Sequence, residues 1–267
     1  MTTASALPSL FVSHGSPMLA LEDSAAGRFL DGLGAAIGRP TAILVASAHF
    51  EHPGPALTAA ARPQTIHDFR GFPPALYALR YPASGSATLS ARAADLLAGA
   101  GFAPVRDETR GLDHGAWVPL LRMYRDADVP VVSLSVDPMQ DATWHYRVGR
   151  ALAPLRAEGV LVIGSGGFSH NLRELDWHGG GTPADWMTGF TDPLRARLLA
   201  GDVDGALDWR QLPQALRNHP SPEHLLPLFV ALGAVGEAPT ARLLHASVEL
   251  GSLALDAFAF EGSLSPQ

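Results

Sequence analysis

Val160-Leu161-Val162-Ile163-Gly164-Ser165-Gly166-Gly167-Phe168-Ser169-His170 is an apolar, β-branched run that passes into glycines and ends on a histidine. Short runs of this kind, bounded by Gly and polar residues, read as strands buried on both faces of a parallel sheet. Two further runs follow the same plan. Leu10-Phe11-Val12-Ser13 leads to His14, and Ile43-Leu44-Val45-Ala46-Ser47-Ala48 leads to His49. In open α/β sheets, ligands bind outside the carboxyl ends of the strands. A metal-capable side chain therefore falls three times where that architecture puts its site, and the pattern points to a metal centre.

The segments around these strands complete the architecture. Glu22 to Gly38 reads as a helix, with Phe29, Leu33 and Ile37 recurring on one face before the stop Gly38-Arg39-Pro40. Strand, helix, strand over this length is a βαβ unit with parallel pairing. Thr88 to Gly101 reads as a second helix. Val129 to Val136 is a strand, and Asp141 caps a helix whose stripe is Trp144, Val148, Leu152 and Leu155. With the Val160 run, this makes a second βαβ unit. Ser221-Pro222-Glu223-His224 reads as a helix start that continues to Ala234, and Gly251 to Phe260 reads as a final strand. The expectation is one α/β domain over residues 1–267, a mostly parallel central sheet flanked by helices, with the site at the carboxyl ends of the strands.

Composition narrows the chemistry. The chain has 267 residues, a formal net charge of −7 and no basic block, so nucleic acid and anionic membranes are not expected partners. No apolar run approaches the roughly 18 residues a membrane span needs, and no signal peptide is apparent, so a cytoplasmic location is the default. There is no cysteine, which excludes disulfides and thiolate metal sites. A metal must then be held by imidazole and carboxylate, and the chain has 11 histidines.

Two more histidines join the strand-end set. His114 lies in Gly111-Leu112-Asp113-His114-Gly115, a Gly-bounded turn before the helical run Val118 to Tyr124. His224 lies in the first turn of its expected helix, where the positive end of the dipole disfavours imidazolium. His52, His67, His145, His178, His219 and His245 read as ordinary packed or surface histidines. The stretch from Thr65 to Pro74, running on to Tyr77 and Tyr81, is an aromatic, Pro-rich loop and reads as a packed loop or as a lid or substrate wall. Gly-x-Ser-x-Gly and His-Glu-x-x-His are absent, and the glycines at 164, 166 and 167 read as room for a ligand to approach the backbone.

Six segments resemble a known family: His14-Gly15-Ser16-Pro17-Met18, Ser47-Ala48-His49, His67-Asp68-Phe69-Arg70-Gly71-Phe72-Pro73, Gly111-Leu112-Asp113-His114-Gly115-Ala116-Trp117, Gly164 to Leu172, and Pro222-Glu223-His224-Leu225-Leu226-Pro227-Leu228. Together they resemble the DOPA 4,5-dioxygenase group of the class III extradiol ring-cleavage dioxygenases, the superfamily of protocatechuate 4,5-dioxygenase catalytic subunits. The resemblance spans nearly the whole chain in order. It implies that His14, His49 and His224 hold one divalent metal, with His170 beside it as a fourth ligand or an acid/base group. It implies that His114 takes a catechol proton or steers oxygen. Protocatechuate-type relatives use two histidines and one carboxylate, and His224, next to Glu223, stands at the carboxylate position. The expected cofactor is Fe(II), with Zn(II) the other ion an all-histidine set would bind.

The expected partners are a small catechol and O2, handled by a monomer or homodimer. His67, Phe72 and Trp117 are candidate substrate contacts, with Phe69 and Tyr77 as further wall. The leading reading is an extradiol dioxygenase. The others are a zinc-dependent hydrolase or lyase on the same scaffold, and a non-catalytic binding protein.

Overall fold

The computed structural model of the chain describes residues 6–176 and 182–263. Ten strands occur in it: β1 Ser9–Ser13, β2 Ala42–Glu51, β3 Ala56–Thr58, β4 Val105–Asp107, β5 Val131–Val136, β6 Val160–Gly166, β7 Glu237–His245, β8 Val248–Glu249, β9 Leu253–Ala254 and β10 Ala257–Ser263. The α-helices are α1 Ala25–Ile37, α2 Pro74–Ala78, α3 Ala87–Gly99, α4 His114–Met123, α5 Ala142–Leu152, α6 Asp185–Leu199, α7 Val203–Leu207, α8 Ala215–Asn218 and α9 Leu226–Gly233. Eight strands make one sheet in the order β4-β3-β5-β2-β6-β1-β10-β7, and β8 pairs with β9 apart from it.

The middle of the sheet is parallel: β5, β2, β6 and β1 run together. Three of these, β1, β2 and β6, are the runs that sequence marked as buried on both faces, and every residue of β1, β5 and β6 is buried. Both expected βαβ units form, each with a strand between its ends. β6 lies between β1 and β2, and β2 lies between β5 and β6.

Strand alternation divides the core in two. Leu10, Val12, Ile43, Val45, Leu161 and Ile163 face α1 and α4, where Leu30, Leu33, Trp117 and Leu120 meet them. Leu44, Ala46, Val132, Val160 and Val162 face α3, α5 and α9. A third cluster joins α6 and α9 to Phe258 and Phe260 of β10.

The structure differs from expectation at the carboxyl-terminal edge. Gly251 to Phe260 is not one strand: it holds β9, a break, and the start of β10. β10 pairs antiparallel with β1 and with β7, a strand whose half-exposed residues gave no periodic signal. Leu155 lies in the 3-10 turn Ala153–Glu158 beyond α5, not in the helix itself. Among the described residues no helix is long and apolar enough to cross a membrane.

His145 proves to be part of this frame. It is fully buried; its Nδ1–H donates to the Asp141 carbonyl (2.7 Å), while Nε2 accepts from the Asp137 amide (3.1 Å). One ring nitrogen donates and the other accepts, so the neutral form is built in. Burial pushes its pKa down from 6.5 to about 4. The unfolded chain therefore takes up this proton first as pH falls. Stability from this group is whole above pH 6.5 and is lost toward pH 4, by about 3 kcal/mol. Urea titrations from pH 7 to pH 4 should show His145→Gln with a flatter fall in stability than the parent.

Candidate metal centre

Alternation carries the odd-numbered residues of β2 and β6 and the even-numbered residues of β1 toward α4, and the site grows from that face. His14 follows Val12 just past β1, and Ser165 follows Ile163 in β6. In β2, pairing with β6 ends at Ser47 and pairing with β5 is irregular between Ala46 and Glu51. His49 sits in that freed stretch, on the face of Ser47. Irregular pairing of this kind re-aims side chains beside sites.

The fourth contributor arrives differently from expectation. α9 begins at Leu226, so His224 lies in the turn that feeds it and not in the first helical turn. The Ser221 hydroxyl does not cap the helix; it donates to Glu223 Oε1 (3.1 Å). A helix-dipole account of His224 therefore fails. Conversely, His114 is not in a turn before its helix: it is the first residue of α4, capped by Asp113.

The glycines of β6 explain how His224 comes close. Gly164 and Gly166 face α9, and a Cβ at Gly164 would stand 2.1 Å from the Pro227 carbonyl oxygen. A Cβ at Gly166 would stand 2.0 Å from the His224 carbonyl oxygen. The space a Cβ would need at both is taken by the chain's own backbone, while Gly166 and Gly167 also line the cavity. Gly166→Ala must push the His224 turn away. We expect a loss of about 1–3 kcal/mol in stability, together with weakened metal binding in a chelator competition.

Three imidazole nitrogens converge. His49 Nε2 lies 3.1 Å from His14 Nε2 and 3.2 Å from His224 Nε2. Outer partners fix which nitrogen carries the proton. The Ser165 hydroxyl donates to the Gly115 carbonyl, so it accepts from His14 Nδ1–H at 3.1 Å. His224 Nδ1–H donates to Glu223 Oε1 at 2.9 Å, and His49 Nδ1 lies 3.6 Å from Asp68 Oδ2. For His14 and His224 this leaves Nε2 as a lone pair, and both lone pairs face His49 Nε2.

A cation relieves that arrangement. Nitrogens bound at 2.0–2.1 Å to one ion lie about 3 Å apart, so the donor set fits a divalent metal. Protonation is suppressed as a ligand set requires. Burial first, then the neighbouring imidazoles, holds His14 and His224 well below the usual histidine value. Burial and then His114 bring His49 down to about 3.

Asp68 is the group that sequence reasoning passed over. Its Oδ2 lies 3.0 Å from His114 Nδ1, and its Oδ1 accepts from the His114 amide at 2.9 Å. Burial opposes its charge, but the hydrogen bonds from His114 outweigh that and hold it at about 2. One carboxylate thus stands beside both His49 and its neighbour His114, whose rings lie 3.8 Å apart. The signal was an acid inside an aromatic loop. Asp113 was also missed: fully buried, it caps α4 and takes the Ser47 hydroxyl (2.5 Å) and Arg110 (3.1 Å).

His170 is not equivalent to His14 and His49. β6 ends at Gly166, and His170 lies in the loop beyond, its ring stacked on His224 with centroids 3.4 Å apart and planes 9° apart. It groups with Glu223 and His224, not with the three converging nitrogens. Burial lowers it to about 4.

These side chains line a cavity of about 740 Å³ to which Phe69 and Phe72 belong. The aromatic loop is therefore a wall of the site. His67, Trp117 and Tyr77 are not among the lining residues and stand behind Phe69. Trp117 is fully buried and donates to the Ile66 carbonyl (2.9 Å), and His67 Nε2–H donates to the Leu79 carbonyl (3.1 Å). His52, His145, His219 and His245 lie outside the cavity lining, and His178 lies outside the described residues.

Residues 8–254 match the family model described as the catalytic LigB subunit of aromatic ring-opening dioxygenase. The chain belongs to the LigB family. It is 44% identical, over 94% of its length and 95% of the relative's, to a Beta vulgaris protein named 4,5-DOPA dioxygenase extradiol. An Escherichia coli K12 protein of the same name is 42% identical over 93% of each chain. The crystal structure of an uncharacterized E. coli K12 protein superposes with a TM-score of 0.82 at 36% identity, covering 96% of this chain and 100% of that one. LigB dioxygenases are metal-dependent, in keeping with the three-histidine group. Family and relatives favour ring-opening chemistry over the hydrolase or lyase reading.

Proposed function

We propose that this chain is an Fe(II)-dependent extradiol dioxygenase that opens a small DOPA-like catechol beside its diol. The observation that carries the reading is the convergence of three imidazole Nε2 atoms, beside a histidine with a carboxylate 3.0 Å from its Nδ1, in one aromatic-walled cavity. His14, His49 and His224 would hold the metal. When bound, the metal supplies the Lewis-acid and redox chemistry through which catechol electrons reach dioxygen.

The remaining roles fall to the chain's own side chains. Asp68 Oδ2, 3.0 Å from His114 Nδ1, favours the proton on that nitrogen, and His114 Nε2 would then be the proton acceptor for a catechol hydroxyl. His170 lines the same cavity outside the three-nitrogen set and serves as the second acid/base group. Glu223 keeps His224 in its binding tautomer. Phe69 and Phe72 exclude water from the reacting ring.

Labelling with ¹⁸O2 tests the reaction. The ring-opened product should carry both atoms of the gas, and a product labelled only from H2¹⁸O would overturn the reading.

A further inference from the structure

Glu22 and Glu249 line the same cavity as the converging histidines, yet neither belongs to a histidine group. Glu249 is half-buried in the short strand β8, and Glu22 follows the 3-10 turn Pro17–Ala20. Much of the remaining wall is apolar, with Met18, Leu172, Leu250 and Leu255. No arginine lines the cavity among the described residues, and the chain contains no lysine. Residues 177–181 are Trp-His-Gly-Gly-Gly and bring no arginine either.

The ionisable side chains other than histidine that line the cavity are thus Asp68, Glu22 and Glu249, all carboxylates, with Glu22 exposed and Glu249 half-buried. Asp68 is engaged by His114, whereas Glu22 and Glu249 have no cationic partner among the described ion pairs. Burial, and then the charge of Glu22, push the Glu249 carboxyl above its ordinary value. An ammonium beside the two would relieve that repulsion. A carboxylate would add to it, with no arginine or lysine in the cavity lining to pair with.

Building on the dioxygenase reading, we infer that the cavity selects catechols whose side arm ends in a positively charged amine and disfavours those whose arm ends in a carboxylate. Glu249 and Glu22 are the specificity-determining pair. DOPA, which bears both groups, is then an intermediate case, and a catechol ethylamine is the preferred class.

The test compares kcat/KM of the iron-loaded chain for dopamine, 4-methylcatechol and 3,4-dihydroxyphenylpropionate by oxygen uptake. The amine should exceed the acid by about tenfold or more. Glu249→Gln should lower the amine-to-neutral ratio several-fold and raise the acid-to-neutral ratio, and Glu22→Gln should do the same more weakly. An acid used as well as the amine, or ratios unmoved in both variants, would overturn the inference. Oxygen uptake with none of the three would instead contradict the dioxygenase reading. Calorimetry with 2-phenylethylamine and 3-phenylpropionate, which cannot turn over, then decides the charge preference alone. Tighter binding of the amine supports it, and equal or reversed affinity rejects it.

Discussion

His49→Ala should leave the chain folded but unable to retain its metal, with oxygen uptake at background. His49 Nε2 is the central member of the set, 3.1 Å from His14 Nε2 and 3.2 Å from His224 Nε2. The imidazole also touches His114 and approaches Asp68, so its removal unties both halves of the site. Losing an outer partner of a ligand costs about 10–100-fold in metal affinity or activity. Losing the ligand itself should exceed the upper end of that range. Far-ultraviolet circular dichroism should remain that of the parent, because the strand around His49 is held by Ala46, Ser47 and Ala48, all buried. Metal analysis after dialysis against a weak chelator, beside the oxygen electrode, reads both effects. A variant that keeps stoichiometric metal would remove His49 from the ligand set.

His114→Asn should show the opposite pattern: metal retained, chemistry lost. His114 Nδ1 lies 3.0 Å from Asp68 Oδ2, and its ring lies against those of His49 and His14 without belonging to the three-nitrogen group. General-base catalysis is worth about 10²–10⁴-fold, so kcat should fall within that range. Asp68→Asn should give a smaller fall, about 10–100-fold, because it disturbs the orientation of His114 without removing it. The decisive comparison is iron content against kcat in the two variants. Near-parental iron with a large loss of kcat in His114→Asn supports a proton-transfer role, whereas proportional loss of both would make His114 a ligand.

How far the sequence discloses this molecule depends on what each residue needs in order to be recognised. β1, β2, β5 and β6 announce themselves because parallel strands buried on both faces must be apolar throughout. β7 does not, because its outer edge position leaves alternate residues exposed and its sequence, EAPTARLLH, has a proline near its start. The helices from Asp185 to Asn218 escaped notice for a related reason. α7 and α8 are only 5 and 4 residues long, and α6 carries Pro193 inside it.

At the site, the five histidines were legible because strand ends and motif spacing point to them. Their division of labour was not. The pairing of His170 with His224 depends on a stacking 54 residues apart in sequence, and the role of Asp68 depends on a loop folding back over α4. The glycines of β6 show the same limit. Sequence says that room is needed there, and only the packing of α9 says that the occupant is the His224 turn.

On the proposed function, His14, His49 and His224 should together bind one iron, and that iron should support catechol opening with O2. An anaerobic titration of metal-free protein with Fe(II), followed by oxygen uptake with DOPA at each point, tests it most directly. The account predicts uptake that rises linearly and levels off at about one iron per chain, with yellow ring-opened product and no activity when Zn(II) replaces iron. Activity supported by zinc and indifferent to oxygen would contradict it.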